Sequence, residues 1–221
     1  MFLQTEVRIR NVLKILVADD HTIVREGLKQ ILGEVADMIV AGEASDGSEA
    51  LRKVREDHYD LVLLDISMPG IGGLDVLKHL KSEKPDLPVL MLSMYPEEQY
   101  AVRTLKAGAS GYLTKESASD ELIAAIRKVS SGGKYVTSSL AEKLASCFDT
   151  YSDMPVHERL SDREYQVVRM IASGKTVTEI ADELSLSVKT ISTHRNRALI
   201  KMGMKTNAEI TYYAIKHGLV E

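Results

Sequence analysis

The sequence predicts a doubly wound α/β fold with a five-stranded parallel sheet, followed by a smaller all-α domain. Up to about Gly133, short apolar runs alternate five times with helical stretches, which is typical of a parallel sheet covered by helices on both faces. The runs are apolar at consecutive positions, as expected of strands buried on both faces. After Leu160 there are four short helical stretches and no convincing strand, which indicates a separate helical domain.

The elements of the first domain follow each other in strict alternation. We expect strands at 13–18, 38–41, 61–65, 88–93 and 111–114. The helices that cover them are expected at 22–36, 47–56, 73–83, 97–107 and 118–131.

The helices of the second domain are expected at 162–173, 177–184, 188–202 and 207–217. Glycines at 174, 203 and 218 lie at helix ends, where residues in the left-handed conformation are common. Ser161 with Glu164 forms a capping box, and Thr176 with Glu179 fits the same pattern. Between the domains, a short helical candidate at 138–147 and a polar stretch indicate a linker.

Composition restricts the class of protein. The 221 residues are 44% hydrophobic and 27% charged, as in globular proteins, and no apolar run approaches the ~18 residues of a membrane span. We therefore expect no membrane partner. Residues 1–11 lack the features of a signal peptide. Cys147 is the only cysteine, which excludes an intrachain disulfide and favours a reducing cytoplasm.

The net charge of −4 is unevenly distributed. Residues 157–221 carry ten Lys and Arg against eight Asp and Glu, whereas the remaining residues carry eighteen against twenty-four. A basic domain beside an acidic one hints at contact with nucleic acid. On charge alone, ordinary surface variation is the explanation that we favour.

Four predicted strands end on polar residues that would meet at one edge of the sheet. In open parallel sheets, ligands bind outside the carboxyl ends of the strands. A single strand-terminal Asp is more often a turn former, and a single Lys or Ser is more often a surface or turn residue. The joint order of all of them favours a functional site. The residues are Asp19, Asp20, Asp65, Ser93 and Lys115.

This set suits a divalent cation and a phosphoryl group. An Asp carboxylate can attack phosphorus, but the anionic phosphoryl group requires a hard cation beside it. We expect Asp20 and Asp65 to bind Mg²⁺ (or Mn²⁺) directly, with Asp19 acting through water. The backbone carbonyl of Ser67 would complete the shell. The ammonium that follows the last strand, that of Lys115, would pair with the transferred oxygens. The Ser93 hydroxyl would hydrogen-bond one of these oxygens.

The motifs that carry these residues closely resemble the receiver domain of bacterial two-component response regulators, over about 12–132. They are Asp19-Asp20, Leu-Leu-Asp65-Ile-Ser-Met-Pro69-Gly, Leu-Ser93 and Ala107-Gly-Ala-Ser-Gly-Tyr112-Leu-Thr-Lys115. The resemblance implies a flavodoxin-like fold in which Asp65 takes a phosphoryl group from a sensor histidine kinase. It also implies a switch, in which the Ser93 hydroxyl moves toward the phosphoryl group and the Tyr112 ring turns inward.

The chain departs from the receiver pattern at two places. Glu116 stands where many receivers have a proline, and Ile71-Gly72-Gly73 stands where many have a further acidic residue. Neither departure removes a group that the proposed chemistry requires.

The predicted helix at 188–202 is apolar on one side and polar on the other. A face rich in Lys, Arg, Asn and Ser suits the DNA major groove, although for this helix alone an ordinary solvated face is the simpler interpretation. The apolar residues at helical spacing are Val188, Ile191, Ala198, Leu199 and Met202. The polar residues are Lys189, Ser192, Thr193, Arg195, Asn196, Arg197 and Lys201.

Residues 158–221 resemble the LuxR-type helix-turn-helix domain, including the stretch Lys189-Thr-Ile-Ser-Thr-His-Arg195. The resemblance implies DNA binding by a four-helix domain whose last helix, at 208–217, pairs two protomers on a near-palindromic site. Its recognition-helix residues fall into two groups. Those that would face base edges are Ser192, Thr193 and Asn196, and those that would mostly meet the DNA backbone are Lys189, Thr190, Arg195 and Lys201.

We expect a DNA-binding response regulator of the NarL/FixJ type rather than an enzyme. Its domains would be a receiver at 12–132, a linker at 133–157 and a helix-turn-helix domain at 158–221. The expected partners are a sensor histidine kinase, promoter DNA, a second copy of the phosphorylated chain and RNA polymerase. Phosphorylation would either release a recognition helix hidden by the receiver or pair two receivers.

Two alternatives remain open. A phosphatase with an Asp nucleophile would want a second Asp two residues after the first, where this chain has Ser67. A phosphorylation-independent regulator with a degenerate receiver is disfavoured because the acidic residues, Ser93 and Lys115 are all present. A nucleotide-binding protein fits poorly, since no glycine-rich phosphate loop follows the first strand.

Overall fold

A computed structural model describes residues 12–95, 97–137, 140–141 and 155–220, with the backbone alone for 97–99. Residues 1–11 and most of the predicted helix at 138–147 lie outside the described residues. No helix in the described part of the chain is long and apolar enough to cross a membrane.

The first domain is a five-stranded parallel sheet in the order β2-β1-β3-β4-β5, with five helices. The fold predicted from the sequence is confirmed. The strands are β1 (Leu13–Ala18), β2 (Met38–Ala44), β3 (Leu61–Asp65), β4 (Val89–Ser93) and β5 (Gly111–Thr114). The helices are α1 (Thr22–Gly33), α2 (Gly47–Glu56), α3 (Gly73–Glu83), α4 (Glu97–Lys106) and α5 (Ser119–Ser130).

The boundaries of two predicted elements were wrong. Helix α1 ends at Gly33 rather than at residue 36, because the chain turns there to enter β2 and the Val35 N–H bonds to the Leu32 carbonyl. Strand β2 continues to Ala44, past residue 41. Its extension includes Gly42, which is unusual within a strand but necessary here, since a Cβ would lie 2.3 Å from the Tyr59 hydroxyl.

Apolar layers cover both faces of the sheet. Alternate residues of one strand point to opposite faces, so Ile15 and Val17 pack with α1 and α5, whereas Leu16 packs on the other side. The second layer extends without interruption into the carboxyl-terminal domain through Tyr100 and Tyr165. The two domains therefore share an apolar core.

The carboxyl-terminal domain consists of four helices after a 3₁₀ turn at Val156–Arg159. They are α6 (Asp162–Ala172), α7 (Val177–Glu183), α8 (Val188–Met202) and α9 (Asn207–Lys216). Both predicted capping boxes are present, at Ser161 and Thr176. The glycines at 174, 203 and 218 all have a positive φ. One apolar assignment was wrong: Val188 is 47% exposed, because it lies in the first turn of α8 beyond the core.

The segment after α5 returns to the edge of the sheet. Tyr135 forms a parallel bridge with Gly111, and its N–H donates to the Ser110 carbonyl at 2.8 Å. The residues predicted to begin the linker thus contact β5 before the chain leaves the sheet.

Candidate functional site

Three charged side chains from different strands meet at the carboxyl edge of the sheet. Asp19 follows β1, Asp65 ends β3 and Lys115 follows β5, and all three side chains are at most 5% exposed. The Lys115 ammonium lies 2.7 Å from Oδ2 of Asp19 and 3.0 Å from Oδ2 of Asp65. The order of the strands, with β3 between β1 and β4, brings these sequence-distant residues together.

Burial and neighbouring charges shift the pKa values of Asp65 and Lys115 in this pocket. Burial raises the pKa of the Asp65 carboxyl to about 6; Lys115 and the backbone N–H of Ser67 oppose the rise, and the Asp19 carboxylate adds to it. Burial acts to lower the pKa of Lys115, but the two carboxylates outweigh it and hold that pKa above its usual value. One ammonium therefore only partly compensates two buried carboxylates.

Several carboxylate oxygens in the pocket are buried without an aligned hydrogen-bond donor. They are Oδ2 of Asp19, Oδ1 of Asp20 and both oxygens of Asp65. Ligand atoms of Asp19, Asp20, His21 and Asp65 all lie within 4.8 Å of one another. Three carboxylates at this spacing, compensated only in part by the Lys115 ammonium, fit a divalent cation.

His21 is a member of this cluster that the sequence reasoning missed. Its place directly after the paired aspartates, before the first turn of α1, was the available signal.

The loop after β3 holds the pocket against α3. Gly73 packs directly on β3, where a Cβ would lie 1.8 Å from the backbone oxygen of Asp65. The Ser67 backbone faces the Asp65 carboxylate through its N–H. Only a glycine permits this approach at the start of α3, so Gly73 is required for the packing of α3 on β3.

Both switch candidates contact one residue, Tyr95. The Ser93 hydroxyl accepts a hydrogen bond from the Tyr95 N–H at 3.0 Å, and the Tyr112 hydroxyl donates to the Tyr95 carbonyl at 2.8 Å. The Tyr112 ring is already buried. Tyr95 is thus held through both of its backbone polar groups in this state.

The ring of Tyr95 in turn contacts the carboxyl-terminal domain. The guanidinium of Arg169, on α6, lies 4.4 Å from the centre of the Tyr95 ring and 5.0 Å from that of Tyr100. Arg169 is buried, and its Nε donates to the Leu219 carbonyl. Among the described residues, its Nη1 and the Tyr100 hydroxyl have no aligned hydrogen-bond partner. No carboxylate of the described residues pairs with this buried guanidinium, which makes the contact costly to maintain.

Polar contacts from α4 and the loop after β3 complete the interface between the domains. Arg103 donates to the carbonyls of Leu160 and His157, at 3.0 and 3.1 Å, and to Asp162 at 3.1 Å. Arg163, on α6, donates to the Gly70 carbonyl at 2.6 Å. The interface therefore reaches two loops that flank the acidic pocket: the loop after β3, through Gly70, and the loop after β4, through Tyr95.

The first domain leaves much of α8, the predicted recognition helix, accessible. Lys189, Thr193 and Asn196 are exposed, and Thr190, Ser192 and Arg195 are partly exposed. Two predicted DNA-contacting cations are engaged elsewhere in this state: Arg195 with Asn207 and Asn196, and Lys201 with Glu164 at 2.6 Å. The contacts with the first domain that are described above come from α6 and from the 3₁₀ turn that precedes it, not from the predicted base-reading side chains.

Comparison with known proteins agrees with the two-part architecture. Residues 15–127 match the family model of the response regulator receiver domain, and residues 158–214 match that of bacterial regulatory proteins of the luxR family. The response regulator UvrY of Escherichia coli K12 is 38% identical over 94% of this chain and 95% of its own. The response regulator GacA of Pseudomonas protegens is 39% identical, over 95% and 98%.

Among solved structures, the chain resembles RcsB from Salmonella enterica serovar Typhimurium. That protein was solved bound to the promoter rprA in the presence of the phosphomimetic BeF₃⁻. The TM-score is 0.64, with 29% identity over 92% of this chain and 98% of the RcsB chain. The chain belongs to the two-component response regulators of the NarL/FixJ type, with a receiver domain and a LuxR-type DNA-binding domain.

Proposed function

We propose that a sensor histidine kinase phosphorylates Asp65 and that the phosphoryl group controls binding of the carboxyl-terminal domain to promoter DNA. The convergence of Asp19, Asp65 and Lys115 at one buried edge supports this most strongly. A receiver at 12–132, a linker at 133–157 and a DNA-binding domain at 158–221 are the units of this proposal.

The phosphoryl transfer uses the groups of this pocket. An Oδ atom of Asp65 forms a bond to phosphorus as the bond from phosphorus to the kinase histidine nitrogen breaks, and the histidine keeps that electron pair. Lys115 stabilises the negative charge on the transferred oxygens. Ser93 then leaves the Tyr95 N–H to donate to one of these oxygens.

Asp19, Asp20 and Asp65, with the Ser67 carbonyl, would hold a divalent cation, Mg²⁺ or Mn²⁺. When bound, the cation neutralises charge between the carboxylate and the incoming phosphoryl group. The buried oxygens that lack aligned donors support this assignment.

Tyr95 couples the pocket to the DNA-binding domain. Its backbone is held by Ser93 and Tyr112, and its ring faces Arg169. When Ser93 turns to the phosphoryl group, Tyr95 loses one of these hydrogen bonds and the Arg169 contact weakens. The receiver does not cover the base-reading side chains of α8. Undocking would therefore let the carboxyl-terminal domain reorient relative to the receiver, rather than uncover α8.

Released domains can then pair on DNA as a homodimer. Ser192, Thr193 and Asn196 would read base edges, and Lys189, Thr190, Arg195 and Lys201 would contact the DNA backbone. The last helix, α9, would join two copies, since Tyr212 and Ile215 on it are exposed apolar side chains. RNA polymerase is a further partner of the DNA-bound dimer.

Intact-mass spectrometry after incubation with Mg²⁺ and acetyl phosphate tests the phosphoacceptor. We expect one phosphoryl adduct that disappears with chelator and in Asp65→Asn. Asp86→Asn, a matched change at an exposed aspartate, should retain the adduct. An adduct that persists in Asp65→Asn would overturn the assignment. A wild-type chain that stays unmodified even with a phosphorylated histidine kinase would favour a degenerate receiver.

A further inference from the structure

The segment that follows α5 continues the sheet beyond its last strand. Tyr135 forms a parallel bridge with β5, and the Lys134 ammonium donates to the Ala109 carbonyl at 2.7 Å. The side chains of Tyr135 and Val136 pack on opposite apolar layers of the sheet, as neighbouring residues of a strand do. Residues 134–137, here called the strap, therefore occupy the edge of β5.

The strap also contacts the surroundings of the predicted switch residue Tyr112. Thr137 lines the same cleft as Tyr112 and Glu121, and its hydroxyl accepts the Leu140 N–H at 3.2 Å. The buried side chain of Leu140 lies in the same apolar layer as Tyr112. The strap is thus docked on the receiver by side chains as well as by its backbone.

The side chain of Tyr135 contacts two opposite charges on α5. Its hydroxyl donates to the Glu121 carboxylate at 3.0 Å, and the Lys128 ammonium lies 5.8 Å from the centre of its ring. Glu121 and Lys128 are about two helical turns apart, so they lie on the same side of α5. Tyr135 therefore covers a face that carries one acidic and one basic side chain.

This face is complementary to a second copy of itself. In a two-fold symmetric contact, each residue meets the counterpart of its own partner, so Glu121 of one copy would pair with Lys128 of the other, twice over. Removal of the strap would also expose the edge of β5, whose backbone groups favour pairing with another chain. Charge and backbone thus both select the same occupant.

We propose that the strap and a second copy of the chain compete for this face of the receiver, and that docked Tyr135 keeps two receivers apart. Few polar contacts hold the strap, so it can be displaced without unfolding the sheet. This competition goes beyond the proposed phosphorylation of Asp65 and does not require it. It also differs from pairing through α9, which lies in the other domain.

Sedimentation velocity of the full chain, without phosphodonor or DNA, measures the competition. Tyr135→Pro removes the N–H that bonds to the Ser110 carbonyl and the side chain that contacts Glu121 and Lys128. We expect this variant to dimerise with a Kd about tenfold lower than that of the wild type, or lower still, because the pairing face is no longer occupied.

Charge reversal then identifies the pairing face. Glu121→Lys, added to Tyr135→Pro, places like charges opposite each other and should abolish the gain. Lys128→Glu, added to both, restores opposite charges and should recover it. Glu26→Lys, at a glutamate of α1 that is 64% exposed, is the matched control and should leave the gain intact.

Two outcomes would overturn the proposal. If Tyr135→Pro dimerises no more strongly than the wild type, the strap does not compete with a second copy. If Glu121→Lys leaves the gain intact, the two copies pair through another face. Neither measurement includes phosphorylation, so a failure of the proposed phosphoryl transfer at Asp65 would be seen separately, by intact mass.

Discussion

At the residue scale, charge balance governs the pocket. Two buried carboxylates share one ammonium, and burial keeps the pKa of Asp65 raised. The pocket is therefore electrostatically incomplete, and a cation with a phosphoryl group would complete it. The same imbalance explains why the ammonium of Lys115 remains protonated although its side chain is buried.

Replacing Lys115 tests this balance. Lys115→Met should lower the rate of Asp65 phosphorylation by acetyl phosphate by about 100-fold or more, because the transferred oxygens lose their cationic partner. The rate is followed by intact mass over time. Lys14→Met, at an exposed lysine of β1, should leave the rate unchanged. A similar rate in Lys115→Met and wild type would argue that Lys115 only stabilises the fold.

The strand-end residues were predictable because a polar residue after an apolar run is visible in the sequence. Asp19, Asp65 and Lys115 could be assigned to one edge from the parallel topology alone. Tyr95 and Arg169 could not be paired in this way. Their contact depends on how one domain lies against the other, and no periodicity in either segment encodes that orientation.

At the element scale, local signals defined most boundaries. Capping boxes and left-handed glycines gave the helix ends of the second domain, since these signals act within a few residues. The extension of β2 could not be foreseen. Gly42 is compatible with that strand only because the Tyr59 hydroxyl fills the space beside it, and Tyr59 comes from the loop before β3.

Two glycines in the first domain should respond oppositely to the same change. Gly73→Ala places a Cβ 1.8 Å from the Asp65 backbone oxygen and should destabilise the receiver by about 3 kcal/mol or more. Gly27→Ala, in the interior of α1 with nothing within 4 Å, should stabilise it by about 1 kcal/mol. Denaturant unfolding of both full-length variants measures the difference. A neutral Gly73→Ala would contradict the packing of α3 on β3.

At the scale of the whole molecule, a half-buried histidine lies at the junction between the domains. Nδ1 of His157 shares a hydrogen bond with the Tyr213 hydroxyl at 2.9 Å. The imidazole ring also contacts the rings of Tyr165 and His217. Burial lowers its pKa; Glu158 opposes this, and His217 and Arg103 add to it. The neutral imidazole is therefore the form that suits this packing, and the Arg103 guanidinium of the first domain ties that preference to docking.

Acidification should weaken docking. Because the pKa of His157 is lowered in the docked state, its stabilising contribution is present above about pH 6.5 and is lost as the pH falls below that value. Small-angle scattering should show a larger radius of gyration at about pH 5.5 than at pH 7.5. His157→Gln should reduce that difference. An unchanged radius in the wild type would contradict this role for His157.

The contacts that hold the two domains together lie close to the acidic pocket on one side and involve the DNA-binding domain on the other. Arg103 and Arg169 link α4, the loop after β4 and α6 into one interface, which begins two residues beyond Ser93. Binding coupling is reciprocal. If phosphorylation undocks the DNA-binding domain, as we propose, a change that undocks the domain must also favour the phosphorylated form of the pocket. This reciprocity can be tested without knowing the operator sequence.

The most direct test is the affinity of the full chain for BeF₃⁻ in the presence of Mg²⁺, measured by calorimetry. Arg103→Met removes docking contacts away from the acidic pocket, and Arg127→Met, at an exposed arginine of α5, is the matched control. We predict that Arg103→Met binds BeF₃⁻ about fivefold or more tightly than wild type, and that Arg127→Met does not differ. An unchanged affinity in Arg103→Met, in a chain that scattering shows to be undocked, would contradict the coupling between Asp65 and the DNA-binding domain.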